Sequence, residues 1–339
     1  MIRLAFIGLT MCLGVFAQES GPYKVLKSAK VGGVGGFDYV YADEAGRKLY
    51  VARSGNGARI AVFNIDTLEP AGELPGVSAH GAVVSTKSGH GFASSKPVAM
   101  FDSKTLAPIK TIDVEGGPDG MLYDAFNDHV YVLSHRAPNA TVINASDGAV
   151  LGTIDLGGAP EQAASDGKGK IYIDIEDKGN IAVVDARTMK VTAHYDLEGK
   201  GGVCAGLAMD VKNQLLFASC RNPQNMVILD AKDGKILTAL PIGGGTDGTV
   251  FNPKTHEAFS SQGDGTLTIV KEKSPKNFEV EQTLKTMPTA KTLTLDGKTG
   301  HLLLIAAEFG APTAPAQPGG RAGRGQMVPD SFTILVVGK

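Results

Sequence analysis

A block of about 42 residues recurs from Gly35 to the C-terminus, and no other feature constrains the fold as tightly. Each copy opens with a Gly-rich segment and an apolar run closed by Asp or Asn. A short polar turn follows, then a second apolar run such as Leu49-Tyr50-Val51. A polar loop, a third run such as Val62-Phe63-Asn64 and a fourth strand complete the unit. One unit of this size cannot bury its own apolar faces, so copies must stack. Four short strands per repeat is the pattern of a propeller blade.

Seven copies start at Gly36-Phe37-Asp38, Ala79-His80-Gly81, Pro118-Asp119-Gly120, Pro160-Glu161-Gln162, Cys204-Ala205-Gly206, Thr246-Asp247-Gly248 and Ala290-Lys291-Thr292. The last lacks a fourth strand, and Tyr23 to Val31 is a strand-like segment with no repeat of its own. Closing a ring removes exposed sheet edges. The expected fold is therefore an all-β, seven-bladed β-propeller of four-stranded antiparallel blades. The N-terminal segment supplies the outer strand of the last blade. Asp102/Thr105 and Asp185/Thr188 end third strands and read as turn-holding pairs, with weaker forms at Asn64/Thr67 and Asp230/Asp233.

Residues 1–17 read as a signal peptide. Arg3 precedes an apolar stretch from Leu4 to Phe16, and Val15-Phe16-Ala17 suits cleavage after Ala17. Leu9-Thr10-Met11-Cys12 matches a lipoprotein box only loosely. The mature chain, residues 18–339, is then one domain, periplasmic or secreted, with no membrane span and expected as a monomer. Losing Arg3 and no acid moves the formal net charge from −2 to −3, which gives no drive toward nucleic acid. Cys204 and Cys220 remain. With Asp210 set opposite Gln214 across the hairpin turn, the two cysteines fall opposite each other, and an oxidising compartment favours a disulfide.

Arg47-Lys48-Leu49-Tyr50-Val51-Ala52, His129-Val130-Tyr131-Val132, Ile171-Tyr172-Ile173 and Val183-Val184-Asp185-Ala186-Arg187-Thr188 resemble the repeats of the YVTN-type, YncE-like β-propeller family. The resemblance implies the seven-bladed fold. It implies no single activity, because relatives of this architecture include single-stranded DNA binders, lactonases and domains of redox enzymes.

First strands line the channel of a propeller, so one position of the repeat forms a ring at its mouth. That ring reads Asp38, His80, Asp119, Glu161, Ala205, Asp247 and Lys291. The ends of second strands add Arg53, His135, Arg136, Glu176, Arg221, Gln262 and Glu308. Crowded acids need a cation or a basic partner. A self-neutralised ring, a mouth for a small polar or cationic ligand or protein partner, and a metal-dependent hydrolase of the lactonase kind all fit. Asp38, Asp119, Glu161 and Asp247 would suit Ca²⁺ or Mg²⁺, and His80 would extend the set to Zn²⁺ or Mn²⁺. The other five histidines fall at turns and outer edges. No haem-attachment motif, P-loop or nucleophile elbow is present, and the absence of Trp weakens stacking on bases. Residues 310–330, rich in Pro, Gly and Ala with Arg321 and Arg324, form an insertion between second and third strands of the last blade. It is expected to be a flexible top-face segment and a candidate flap over the mouth.

Overall fold

The computed structural model describes residues 21–311 and 325–339. Strands pair into seven four-stranded sheets, and no helix occurs among the described residues. The inner strands are Gly36–Asp43, Ala82–Val84, Pro118–Asp124, Pro160–Ser165, Cys204–Asp210, Thr246–Asn252 and Leu293–Asp296, for blades 1 to 7 in order. In blades 1 to 6 each inner strand is followed by its own second, third and outer strands. The expected signal peptide, residues 1–17, and residues 312–324 of the expected insertion lie outside the described residues. The two ends of the insertion pair, through a bridge between Phe309 and Met327 and a 2.8 Å bond from Gly310 N to Gln326 O.

The ring closes as the repeat count requires. Lys24–Lys30 is the outer strand of blade 7 and runs antiparallel to Thr333–Gly338, with Lys24 opposite Gly338 and Lys30 opposite Thr333. Second strands are buried on both faces because each sheet packs between two others: Leu49 to Ala52, Val130 to Leu133 and Ile171 to Ile173 are all in the core. Outer strands are the most exposed, and that of blade 4, Lys190–Asp196, alternates exposed and half-buried residues. The Asp-x-x-Thr turns are structural: Asp102 Oδ1 accepts from Thr105 N at 2.7 Å and Thr105 Oγ1 at 2.8 Å.

Blades are also strapped together at the end where inner strands finish. Tyr172 Oη donates to Ala231 O at 2.9 Å across blades 4 and 5, and Lys87 Nζ donates to Ala125 O at 2.6 Å across blades 2 and 3. The strap between blades 1 and 7 is ionic. Arg47 holds buried Asp296 with two bonds of 2.8 and 2.7 Å, and also reaches Asp66. The hydrogen bond from Arg47 pulls the Asp296 carboxyl down to about 2. A depressed carboxylate contributes stability above its unfolded pKa, near 4, and that contribution is lost as pH falls through the folded value. The shift is worth roughly 2–3 kcal/mol. Asp296→Asn is therefore expected to flatten the fall in melting temperature between about pH 4 and pH 2. An unchanged acid limb in that variant would refute the assignment.

Candidate functional site

The mouth residues are aimed by a local backbone irregularity that recurs. Pairing between first and second strands slips between Phe37 and Val40, Pro118 and Met121, Pro160 and Ala163, Cys204 and Gly206, and Thr246 and Gly248. The residues in those gaps include Asp38, Asp119, Glu161, Ala205 and Asp247. A β-bulge leaves a residue out of the ladder and re-aims its side chain. Five blades thus turn their ring residue toward the channel by the same device. His80 and Lys291 lie just before the inner strands of blades 2 and 7 and reach the same mouth.

Asp38, Tyr39, Asp119, His135, Glu161, Glu176, Arg221, Asp247 and Lys291 line a cavity of about 400 Å³. That volume lies within the roughly 300–1,000 Å³ of small-ligand sites. Its two walls differ. On one, Arg221 donates to Glu176 Oε1 at 2.6 Å and to Asp247, and Lys291 bonds Asp247 and reaches Asp38 Oδ1 at 3.3 Å. Burial alone would lower both cations, but the surrounding carboxylates outweigh it and hold them above their ordinary values.

Asp119 and Glu161, on the other wall, pair with no Lys or Arg among the described residues and are approached by histidines instead. His80 Nδ1 donates to Asp38 Oδ2 at 2.7 Å and lies 3.6 Å from Asp119 Oδ1. The bond to Asp38 raises His80. At Asp38 burial pushes up, but His80 and Lys291 more than offset it and leave this carboxyl low. His135 Nδ1 is 3.4 Å from Glu161 Oε1 and its Nε2 is 3.5 Å from Glu176 Oε2. The Nδ1 atom is buried and has no hydrogen-bond partner. Burial pushes Asp119 up. Burial, then the charges of Asp247 and Asp119, push Glu161 far above the carboxylate range.

Ligand atoms of Asp38, His80 and Asp119 lie within 4.8 Å of one another, and so do those of Asp119, His135 and Glu161. Such one-imidazole, two-carboxylate sets suit divalent ions of the Mn²⁺ or Zn²⁺ type.

Several expected residues stand elsewhere. Arg53 is buried, not at the mouth. The Gly-rich entry of blade 1 folds over it, so that its guanidinium donates to Val34 O at 3.0 Å and Gly36 O at 3.3 Å and lies 3.8 Å over the Phe332 ring. Gly33 is needed there: at φ 87°, a Cβ would meet Arg59 Nη2 at 2.6 Å. Gln262 is fully buried and turns back on its own hairpin, donating to Ser260 O at 2.7 Å and accepting from Thr266 and Thr268. Glu308 points outward, 3.7 Å from Lys30 on the outer strand. Arg136 is exposed beside a side pocket with Lys96, Ser78 and His80, and makes no ion pair among the described residues. Asp247 leaves the metal set because Arg221 and Lys291 occupy both its oxygens, and His135 takes its place.

The cysteines are joined, but by a different register from the expected one. Asp210 faces Leu215, not Gln214, and the bulge at Ala205 restores the offset so that Cys204 meets Cys220.

Two residues were hidden from the repeat alignment. Tyr39, second in its bulge, donates to Glu161 Oε2 at 3.1 Å across the channel. Asp174 is buried under the mouth; its Oδ1 accepts from Gln162 N at 2.6 Å, and burial pushes it up to about 8. The signal for both lay in position: one follows a ring acid, and the other lies two residues before Glu176, near the end of the second strand of blade 4.

The molecule is thus a seven-bladed β-propeller with a cavity lined by charged residues. Neither a protein-family model nor a curated protein matches the sequence. Among solved structures the fold is similar to hydrazine synthase of Kuenenia stuttgartiensis, with TM-score 0.69 and 13% identity over 80% of this chain and 92% of that one. At this identity the likeness shows the fold alone.

Proposed function

We propose that this chain is an exported binding protein whose funnel captures a small cation, with a divalent metal ion as its simplest ligand. The observation that carries this reading is the asymmetry of the funnel. Arg221 and Lys291 neutralise one wall, whereas Asp119, His135 and Glu161 converge on the other with a buried imidazole nitrogen left without a hydrogen bond. In all, five carboxylates face two permanent cations and two imidazoles. A bound cation would remove the cost that raises Asp119 and Glu161. The YncE-like repeat motifs fit a binding or scaffold role. The leader-like residues 1–17 and the Cys204–Cys220 bridge fit an oxidising compartment.

Calorimetric titration with Mn²⁺, Zn²⁺, Ca²⁺ and Mg²⁺ tests the reading. Binding is expected for at least one ion and to strengthen as pH rises, because protons compete for the same ligands. Asp119→Asn and His135→Ala should each weaken the funnel affinity by roughly tenfold or more. No binding by any of the four ions would overturn the metal reading.

A metal-assisted hydrolase, lactonase-like, is the second reading. The feature in its favour is Glu161, held at 3.1 Å by the Tyr39 hydroxyl beside the Asp38, His80 and Asp119 donor set, where its carboxyl can relay a proton to a leaving oxygen. Release of hydroxy acid from a simple lactone by the Mn²⁺- or Zn²⁺-loaded protein would establish it.

A further inference from the structure

A second cluster lies at the opposite end of the blades, between blades 5 and 6. It stands out because the repeat itself has no use for it. In six blades one residue donates its backbone N–H to a carbonyl in the inner hairpin of its own blade, at 2.8–3.1 Å: Ile65, Ser103, Ala145, Ala186, Ala231 and Glu272. Five of these are small or apolar, and Ile65, Ala145, Ala186 and Ala231 pack in cores between sheets. Blade 6 alone among the six places a carboxylate there.

Glu272 is buried and faces Asp210, also buried, at the end of the inner strand of blade 5. One oxygen of each is satisfied: Glu272 Oε1 accepts from Asn213 Nδ2 at 2.7 Å, and Asp210 Oδ1 from Lys212 N at 2.9 Å. The other two, Asp210 Oδ2 and Glu272 Oε2, are buried without any hydrogen-bond partner. His256, in the hairpin turn of blade 6, brings Nδ1 to 3.9 Å from Glu272 Oε2, and ligand atoms of all three residues lie within 4.8 Å of one another. Two orphaned carboxylate oxygens in a dry site are costly unless something positive sits between them. The partly exposed imidazole completes an N,O,O donor set and opens a path to solvent.

We propose that Asp210, His256 and Glu272 form a divalent-cation site that straps blade 5 to blade 6, distinct from the funnel. The imidazole and two carboxylates select ions of the Mn²⁺ and Zn²⁺ class over Ca²⁺, which prefers more oxygen ligands. The role is structural. The ion adds at this seam a strap comparable to the side chain-to-carbonyl hydrogen bonds between blades 2 and 3 and between blades 4 and 5.

The test is Mn²⁺ titration of the full-length, disulfide-intact protein carrying Asp119→Asn, which removes the residue shared by both funnel triads. One Mn²⁺ per chain is expected to remain bound and to raise the melting temperature. Adding Glu272→Gln should abolish that binding. Adding His256→Asn, which tolerates the left-handed backbone at this turn (φ 55°), should weaken it by roughly tenfold or more. Absence of Mn²⁺ binding in the Asp119→Asn protein would overturn this site while leaving the funnel reading untouched. So would Mn²⁺ binding whose affinity and stoichiometry are unchanged by Glu272→Gln.

Discussion

Replacing Tyr23 by Ala is expected to destabilise the whole propeller by about 3–5 kcal/mol, the usual cost of deleting a buried aromatic ring. Tyr23 is almost fully buried between blades 6 and 7, with its ring edge-on to Phe259 at 5.2 Å. Gln282 clamps its backbone from both sides, accepting from Tyr23 N at 2.9 Å and donating to Tyr23 O at 2.8 Å. Its phenol donates to Glu257, a buried carboxylate that also accepts from Lys339 at 2.8 Å. Burial would raise Glu257, but the hydrogen bonds from Lys339, Thr255 and Tyr23 hold it low. Tyr23 and Lys339, side by side at one end of the closing strand pair, are thereby tied to one side chain in the neighbouring blade. Thermal unfolding should show a melting temperature lower by on the order of 10 °C for Tyr23→Ala. Tyr23→Phe, which keeps the ring and removes one bond to a charged acceptor, should cost about 1–3 kcal/mol. A Tyr23→Ala protein that melts with the wild type would show that closure does not depend on this latch.

Arg221→Ala is expected to cost a similar amount, about 3–5 kcal/mol, for a different reason. Removing one partner of a buried ionic network leaves the others uncompensated. Among the described residues Arg221 alone bridges Glu176 and Asp247, and it also donates to Thr246 O at 2.8 Å. The side chains of Arg221, Glu176 and Asp247 are 17%, 16% and 6% exposed, so water restores little. Arg221→Lys should retain part of the stability, since a single ammonium cannot reproduce the forked contact to two acids. The freed carboxylates should also shift the funnel toward tighter cation binding. Added Mn²⁺ is then expected to raise the melting temperature of Arg221→Ala more than that of the wild type. An Arg221→Ala protein with unchanged stability and unchanged Mn²⁺ response would remove the ionic wall from this account of the funnel.

Most of the architecture was legible because it rests on periodicity. A repeat of about 42 residues with four apolar runs has few ways to bury them. The missing fourth strand in the last copy required the N-terminal strand to close the ring. The mouth was legible in part. Asp38, His80, Asp119, Glu161, Asp247 and Lys291 share one repeat position, and a shared position means a shared place in the ring. Second-strand ends carried no such guarantee. Arg53 and Arg221 occupy comparable positions, yet a Gly-rich loop buries one against Phe332 and two acids draw the other into the funnel. That choice is made by neighbouring blades, which a single repeat does not encode.

The sequence by itself determined the number of blades, the closing strand and the crowding of acids at one end of the channel, because these follow from counting and spacing. Tertiary structure decided which acids are neutralised. The bulges that aim the ring, the return of Cys204 to Cys220 after a one-residue register error, and the phenol of Tyr39 on Glu161 are all offsets of a single residue. Side chains in a strand alternate faces, so an offset of one residue reverses what a side chain meets. Apolar patterning tolerates it, but the pairing of charges across the funnel does not.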